Sequence, residues 1–324
     1  MIRDSRGLVL SLGRMLHVSG MFLRCGKVIV ALALVTGSMG LAETPHPDAP
    51  ATLEGVTVTG HPVPGENKMM GSYQQPEWTA RRRFVLTPVY VQPDGQAEVE
   101  LGFETAHAAD GTRTRLFNQE IELGLPWRFQ INLENTYQNF REGEPGEGPW
   151  HHDGAAVNVR YALADWGKFP LNPAVAVGWK FNSGAADAAE FQLLLGDELS
   201  PRWHWGANLF LEQQTGGDRY REQAVSAGLS YSLVNEKLNL GAEMKYGEES
   251  AQGTNSYRRR PLTLGPSVQW RPVDQIHLDL VPMWGLNQGA AKWEVFLFFG
   301  FEFGDGADDG DDKPKVEPAS LRAR

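Results

Sequence analysis

The chain has 324 residues, a formal net charge of −10 and a single cysteine. That length suits one large domain or two ordinary ones. The acidic balance excludes a basic nucleic-acid-binding surface, the lone Cys25 excludes a disulfide framework, and no cofactor is expected.

Residues 1–42 read as a signal peptide. Arg3, Arg6, Arg14, Arg24 and Lys27 precede an uncharged run over 28–42 that is short for a bilayer span and ends in Gly40-Leu41-Ala42. A positive flank, a short apolar core and a small-residue end predict cleavage after Ala42. Removing the segment takes away five basic residues and one acidic one. That leaves 25 against 39, a net of about −14, with no thiol. No later stretch is apolar enough for a transmembrane helix.

Residues 43–82 carry Pro45, Pro47, Pro50, Pro62, Pro64 and Pro76 without sustained periodicity, and are expected to form a disordered periplasmic leader. Within it, 53–60 (LEGVTVTG) resembles the box by which energy-coupled receptors contact TonB. Those receptors need a plug domain and a larger barrel, so an incidental β-prone stretch is the expectation. Arg81, Arg82 and Arg83 are expected beside phospholipid headgroups. Residues 83–92 (RFVLTPVYVQ) read as an extended segment at the periplasmic mouth of the following domain or inside it.

From residue 96 apolar and polar residues alternate. Phe129, Ile131, Leu133 and Tyr137 oppose Gln130, Asn132, Glu134 and Gln138. Successive strand side chains point to opposite faces, so one face meets an apolar medium and the other water. Twelve such segments fall at 96–106, 113–124, 126–139, 152–163, 171–182, 187–197, 202–214, 221–233, 237–248, 257–271, 275–286 and 292–303. Each has about the 9–11 residues that a tilted strand needs to cross a bilayer core. Negative mean hydropathy fits, because only alternate residues face lipid. The fold class is therefore all-β, a single transmembrane antiparallel barrel over 83–303. It follows a cleaved signal peptide and precedes an acidic, flexible periplasmic tail at 304–324.

Tryptophan placement gives an independent argument. Trp127, Trp203, Trp205 and Trp270 fall at periplasmic strand ends, while Trp179, Trp284 and Trp293 fall near external ends. Two aromatic girdles of this kind mark the two interfaces of an outer-membrane barrel. Trp166 lies in a periplasmic turn, and Trp78 falls outside the scheme.

The inward positions are acidic: Glu98, Glu100, Glu104, Glu120, Glu122, Glu134, Glu190, Glu212, Glu222, Glu243, Asp279, Glu294 and Glu302. Arg160, Lys180, Lys245 and Arg271 oppose them. Twelve strands give a backbone radius of about 12 Å. A narrow acidic lumen would favour cations, and a charge network filling it would instead close the barrel.

No nucleophile–base pair stands out. The inward His204 and His277 have no serine placed beside them, so no catalysis is expected. The external stretch 140–153 holds Glu142, Glu144, Glu147, His151, His152 and Asp153. None of its spacings is diagnostic of a metal, and no metal is expected there. Arg258, Arg259 and Arg260 stand at the external end of a strand, where they read either as solubilising loop charge or as partners of lipopolysaccharide phosphates.

The phrase ELGLPWRFQINLENTY (122–137) and the final GFEF (300–303) resemble the outer-membrane transport barrels named for the meta-pathway of phenol degradation, over about 90–303. The resemblance implies transport or uptake of small organic molecules, aromatic ones included. The last strand, WEVFLFFGFEF, also resembles the signal read by the barrel-assembly machinery, with Gly300, Phe301 and Phe303 at its core.

The expectation is a passive channel for small solutes, with weak cation preference, in the outer membrane of a Gram-negative-type bacterium. Its expected partners are lipid, lipopolysaccharide and the assembly machinery. A closed structural or adhesion barrel stands as an alternative. An uptake route for small hydrophobic compounds is another, with Val281, Met283, Phe296 and Phe298 as its apolar inward candidates.

Overall fold

The computed structural model describes residues 69–80, 83–141, 148–234, 237–253 and 256–304. The signal peptide, the TonB-box-like stretch, Arg81, Arg82, the loop acids Glu142, Glu144 and Glu147, and the tail beyond Gly304 lie outside them.

Among the described residues, twelve long strands form one antiparallel barrel: β1 (Ala97–His107), β2 (Arg113–Leu125), β3 (Phe129–Arg141), β4 (Trp150–Ala162), β5 (Ala174–Asn182), β6 (Ala188–Ser200), β7 (Trp203–Gln214), β8 (Arg221–Val234), β9 (Leu238–Ala251), β10 (Leu262–Val273), β11 (Ile276–Gly285) and β12 (Trp293–Phe303). Each strand pairs with the next, and β12 closes on β1 from Phe303↔Ala97 to Trp293↔His107. Closure leaves none of the twelve long strands as an open edge, which an apolar membrane interior requires.

All twelve expected strands are present with shifted ends. The expected tenth strand, 257–271, is broken: Tyr257–Arg259 forms a short strand against β9, and β10 starts at Leu262. Pro261 sits at the break and has no backbone N–H to continue the ladder.

The alternation sorts side chains as an inside-out protein. Val99, Phe103, Leu133, Val177, Phe191, Leu240, Leu264 and Leu297 are exposed on the outer face, whereas Glu98, Glu100, Asn132, Glu212, Ser230 and Gln269 are buried within. In water that exterior would be costly; against hydrocarbon it costs nothing, which identifies the outer surface as the lipid face. Both described ends of the barrel sequence, Ala97 and Phe303, lie at one rim, called here the terminal rim; the loop Ala108–Thr112 lies at the far rim.

Residues ahead of β1 are folded, which departs from the leader expected over 43–82. Met69–Met70 and Gln75–Pro76 pair as a small antiparallel hairpin, and a one-turn helix follows at Glu77–Ala80. From Arg83 the chain runs on into β1 as irregular backbone, and Phe84, Val89, Tyr90 and Val91 are fully or almost fully buried. Of the two placements open for 83–92, the interior is the one observed.

Candidate functional site

The candidate site is the lumen and the segment inside it. A row of directly paired inward positions crosses five strands: Gly196 (β6), Gly206 (β7), Gly228 (β8), Glu243 (β9) and Gly265 (β10). The glycines make space. A Cβ on Gly206 would lie 2.3 Å from Val89 Cγ1, one on Gly196 2.8 Å from Val89 Cβ, and one on Gly228 2.5 Å from Phe84 Cδ1. Phe84 and Val89 therefore lie against bare backbone, where any side chain would exclude them.

Glu243, in the same row, anchors the segment. The backbone N–H groups of Val85 and Leu86 donate to its carboxylate at 2.9 and 2.8 Å, and Thr87 Oγ1 donates at 3.2 Å. Irregular backbone buried in a lumen needs such partners, because an unmet amide there costs about 1–3 kcal/mol. Arg160 donates to Tyr90 O at 2.9 Å, Gln92 N donates to Gln130 Oε1 at 2.6 Å, and Ser226 Oγ donates to Leu86 O at 3.3 Å. Arg83 donates to Ser232 at 3.0 Å and also to Asn239. That corrects its expected place at lipid headgroups: it is 1% exposed and held inside the barrel. Among the described residues, 83–92 forms no backbone ladder with the wall, and side-chain hydrogen bonds and packing hold it.

The hairpin and the helix after it pack at the terminal rim. Trp78, which had no place in the girdle scheme, is buried at 1% exposure, with its ring 4.2 Å from His204 and 5.6 Å from Trp166. The long connection between β4 and β5 explains itself here, since Trp166 N donates to Tyr73 O at 2.9 Å and Trp166 packs edge-on against Tyr73. Burial holds the Tyr73 phenol above its ordinary pKa. Arg128, in the turn after β2, pairs with Asp165 at 2.9 Å, and its backbone N–H donates to Ser72 Oγ.

All thirteen acidic positions named from the sequence point inward, Glu302 among the buried ones. Glu98, Glu100, Glu104, Glu122, Glu190, Glu212, Glu222, Glu243, Asp279 and Glu294 are buried, and Glu120 and Glu134 are half-buried. Arg160, Lys180, Lys245 and Arg271 are buried among them. Apart from Glu243 and Arg160, which hold the lumen segment, and Glu120 and Glu122, which accept from Asn132, these charges fall into two groups. Toward the far rim lie Glu104, Glu134, Glu190, Glu212, Glu222 and Glu294 with Lys180 and Lys245, and Lys180 Nζ is 3.8 Å from Glu212. Near the terminal rim lie Glu98, Glu100, Asp279 and Glu302 with His277, and Arg271 pairs with Glu302.

Sequence reasoning missed two members of the far-rim group. Glu249 and Arg259 pair with each other, both largely buried. This corrects the expectation of three surface arginines. Arg258 and Arg260 are exposed and share Glu248, while Arg259 between them points inward, as strand alternation in Tyr257–Arg259 requires.

Trp127, Trp179, Trp203, Trp270 and Trp284 are exposed on the outer surface, and Trp205 and Trp293 are half-buried there. Phe301 and Phe303 pack together on the outer face of β12, their rings tilted and centroids 4.5 Å apart. Gly300 faces inward, where a Cβ would lie 1.7 Å from His277 Nε2.

The apolar inward candidates form one cluster. Val281, Met283, Phe296 and Phe298 pack with Ala106, Leu116 and Ala291, and Val85 of the lumen segment covers them. Beside this cluster the β10–β11 ladder is interrupted between Leu264↔Trp284 and Val268↔Leu280, where Pro266 and Pro282 stand. Neither proline has an N–H to give.

No protein-family model matches the chain, and no curated protein matches it. Solved structures similar to it include an outer-membrane channel from Pseudomonas putida F1 (11% identity, 66% of this chain, 98% of that chain, TM-score 0.48). They also include the NanC porin (11% identity, 63% and 98%, TM-score 0.45) and the β domain of the Bordetella autotransporter BrkA (14% identity, 65% and 100%, TM-score 0.46). The likeness is one of barrel architecture.

Proposed function

We propose that the chain is a bacterial outer-membrane channel for small solutes, resting in a closed state set by its own N-terminal segment. The terminal rim faces the periplasm, so the hairpin and lumen segment enter from that side. The observation that carries this reading is the kind of contact holding the segment. It lies in a glycine track and is held by side-chain hydrogen bonds centred on Glu243, with no ladder to the wall. Such contacts can be exchanged for water one by one, whereas an added strand could leave only by breaking a cooperative ladder. The far-rim acids give the open state a weak preference for cations.

The test is conductance of the refolded full-length barrel in a planar bilayer under a KCl gradient. The full chain is expected to be closed or nearly so. Glu243→Gln is expected to raise the open fraction, with a cation-selective reversal potential that Glu134→Gln or Glu190→Gln weakens. A folded Glu243→Gln barrel that stays silent would count for a closed structural barrel.

A second reading has its own observation. The apolar cluster of Val281, Met283, Phe296 and Phe298 adjoins the proline-interrupted β10–β11 seam. Moving Val85 aside uncovers an apolar lining next to the weakest part of the wall, a route by which a small hydrophobic solute, aromatic ones included, could leave sideways into the membrane. Uptake of a small labelled aromatic into proteoliposomes, lowered by a disulfide across 266 and 282, tests that route separately.

A further inference from the structure

We infer that the terminal-rim end of the lumen holds a divalent transition-metal site of the Zn²⁺ type, built from His277 and Asp279 on β11 and Glu100 on β1. This inference does not rest on the barrel conducting.

The register creates the site. Glu100 pairs with Gly300, and Gly300 pairs with His277. The middle position of this row has no side chain, and the imidazole fills that space, since a Cβ on Gly300 would fall almost on Nε2. A strand that otherwise separates β1 from β11 is thereby bridged by one ring. Asp279, two residues along β11, points to the same side.

The ring is held at both nitrogens. Nε2 is 2.7 Å from Glu98 Oε1, and Nδ1 is 2.6 Å from Asp279 Oδ2. One donor atom each from His277, Asp279 and Glu100 lies within 4.8 Å of the others, and a second such set joins His277, Glu98 and Glu302. Charge favours the first set, because Glu302 is already paired with Arg271. Glu98 then fits the outer role. A carboxylate on the second nitrogen of a ligating histidine fixes the ring and raises its basicity.

Unmet polar groups point independently to a ligand at this place. Asp279 is 1% exposed, and its Oδ1 has no hydrogen-bond partner among the described residues. Gln269, paired with Asp279 across the β10–β11 ladder, is 3% exposed with both amide atoms unpartnered. Buried polar atoms are nearly always satisfied, and a bound ion is one standard partner for those that no protein group meets. Imidazole with carboxylates is a borderline donor set that suits Zn²⁺ better than Mg²⁺ or Ca²⁺. Four-coordinate ligands at about 2 Å from the ion stand about 3.3 Å apart, and side-chain rotation spans the difference from the present spacing. The lumen segment touches the same group, since Gln92 Nε2 lies 3.5 Å from Glu98 Oε2.

The experiment is equilibrium dialysis of the full-length refolded barrel, stripped with EDTA and titrated with Zn²⁺ at neutral pH. Co²⁺ absorption serves as the spectroscopic reporter, and heat-dependent gel migration as the check of folding. One ion per chain is expected. His277→Gln and Asp279→Asn should bind at least tenfold more weakly and lose the Co²⁺ signature, and Gly300→Ala should weaken binding without removing any donor. Glu190→Gln, at the far rim, should bind like the parent. If His277→Gln does not fold, Asp279→Asn and Glu100→Gln decide. No saturable binding to the folded parent, or parental affinity in folded Asp279→Asn, overturns the assignment.

Discussion

Phe84 lies on Gly228, its ring so close to the strand that a Cβ there would come within 2.5 Å of Cδ1. A large ring in the lumen segment and a missing side chain in the wall thus form one structural unit. Gly228→Ala is expected to displace the segment while leaving the β8 ladders intact. Overpacking of this kind costs about 1–3 kcal/mol. Faster hydrogen exchange at 83–92, with the barrel strands unchanged, is the expected readout. Unchanged exchange in that stretch would mean that the ring slides aside at little cost.

Glu243 is the second hold on the segment, and its removal makes a separable prediction. Glu243→Gln keeps the size but offers one acceptor oxygen to two amides, Val85 and Leu86. One buried N–H is left without its acceptor, an effect of about 1–3 kcal/mol. Limited proteolysis within 83–92 should speed up by roughly tenfold or more at that cost, and protease resistance equal to the parent would show that packing alone suffices.

Trp78 and the outer tryptophans should separate by environment. Trp127, Trp203 and Trp270 are exposed on the lipid-facing side, whereas Trp78 is sealed between His204 and Trp166. In liposomes of brominated lipid the outer rings are expected to quench and Trp78 to remain bright. Trp78→Phe should therefore remove mainly the unquenched component; a loss confined to the quenched component would place Trp78 outside the barrel.

The far-rim loop at 108–112 carries a pH prediction. Thr112 N donates to Asp110 Oδ1 at 2.9 Å, and this bond holds the Asp110 carboxyl below the ordinary value of 3.8. A depressed pKa stabilises the folded loop above that value, and the stabilisation is lost as pH falls through the folded pKa. A carbon-detected titration of Asp110 should show a midpoint below 3.8; a midpoint at or above it would contradict the bond.

How much of this was legible in the chain follows from range. Period-two alternation is local, so twelve strands, the lipid face and the inward carboxylates could be read from neighbours two residues apart. The interruption at Pro261 moved one strand start, because a missing N–H counts only against a partner strand. Arg83 looked like a surface cation because its partners, Ser232 and Asn239, are about 150 residues away.

The amino-acid sequence by itself determined the barrel, since an alternating pattern of this length has one satisfactory solution in a membrane, a sheet closed on itself. Only the tertiary structure decided what fills it. Gly196, Gly206 and Gly228 are unremarked glycines until strand register sets them side by side, and Gly300 is part of a terminal motif until His277 lies across it. Register is fixed by pairing between segments distant in the chain, so the track for Phe84 and Val89, and the junction of Glu100, His277 and Asp279, exist only in the folded ring.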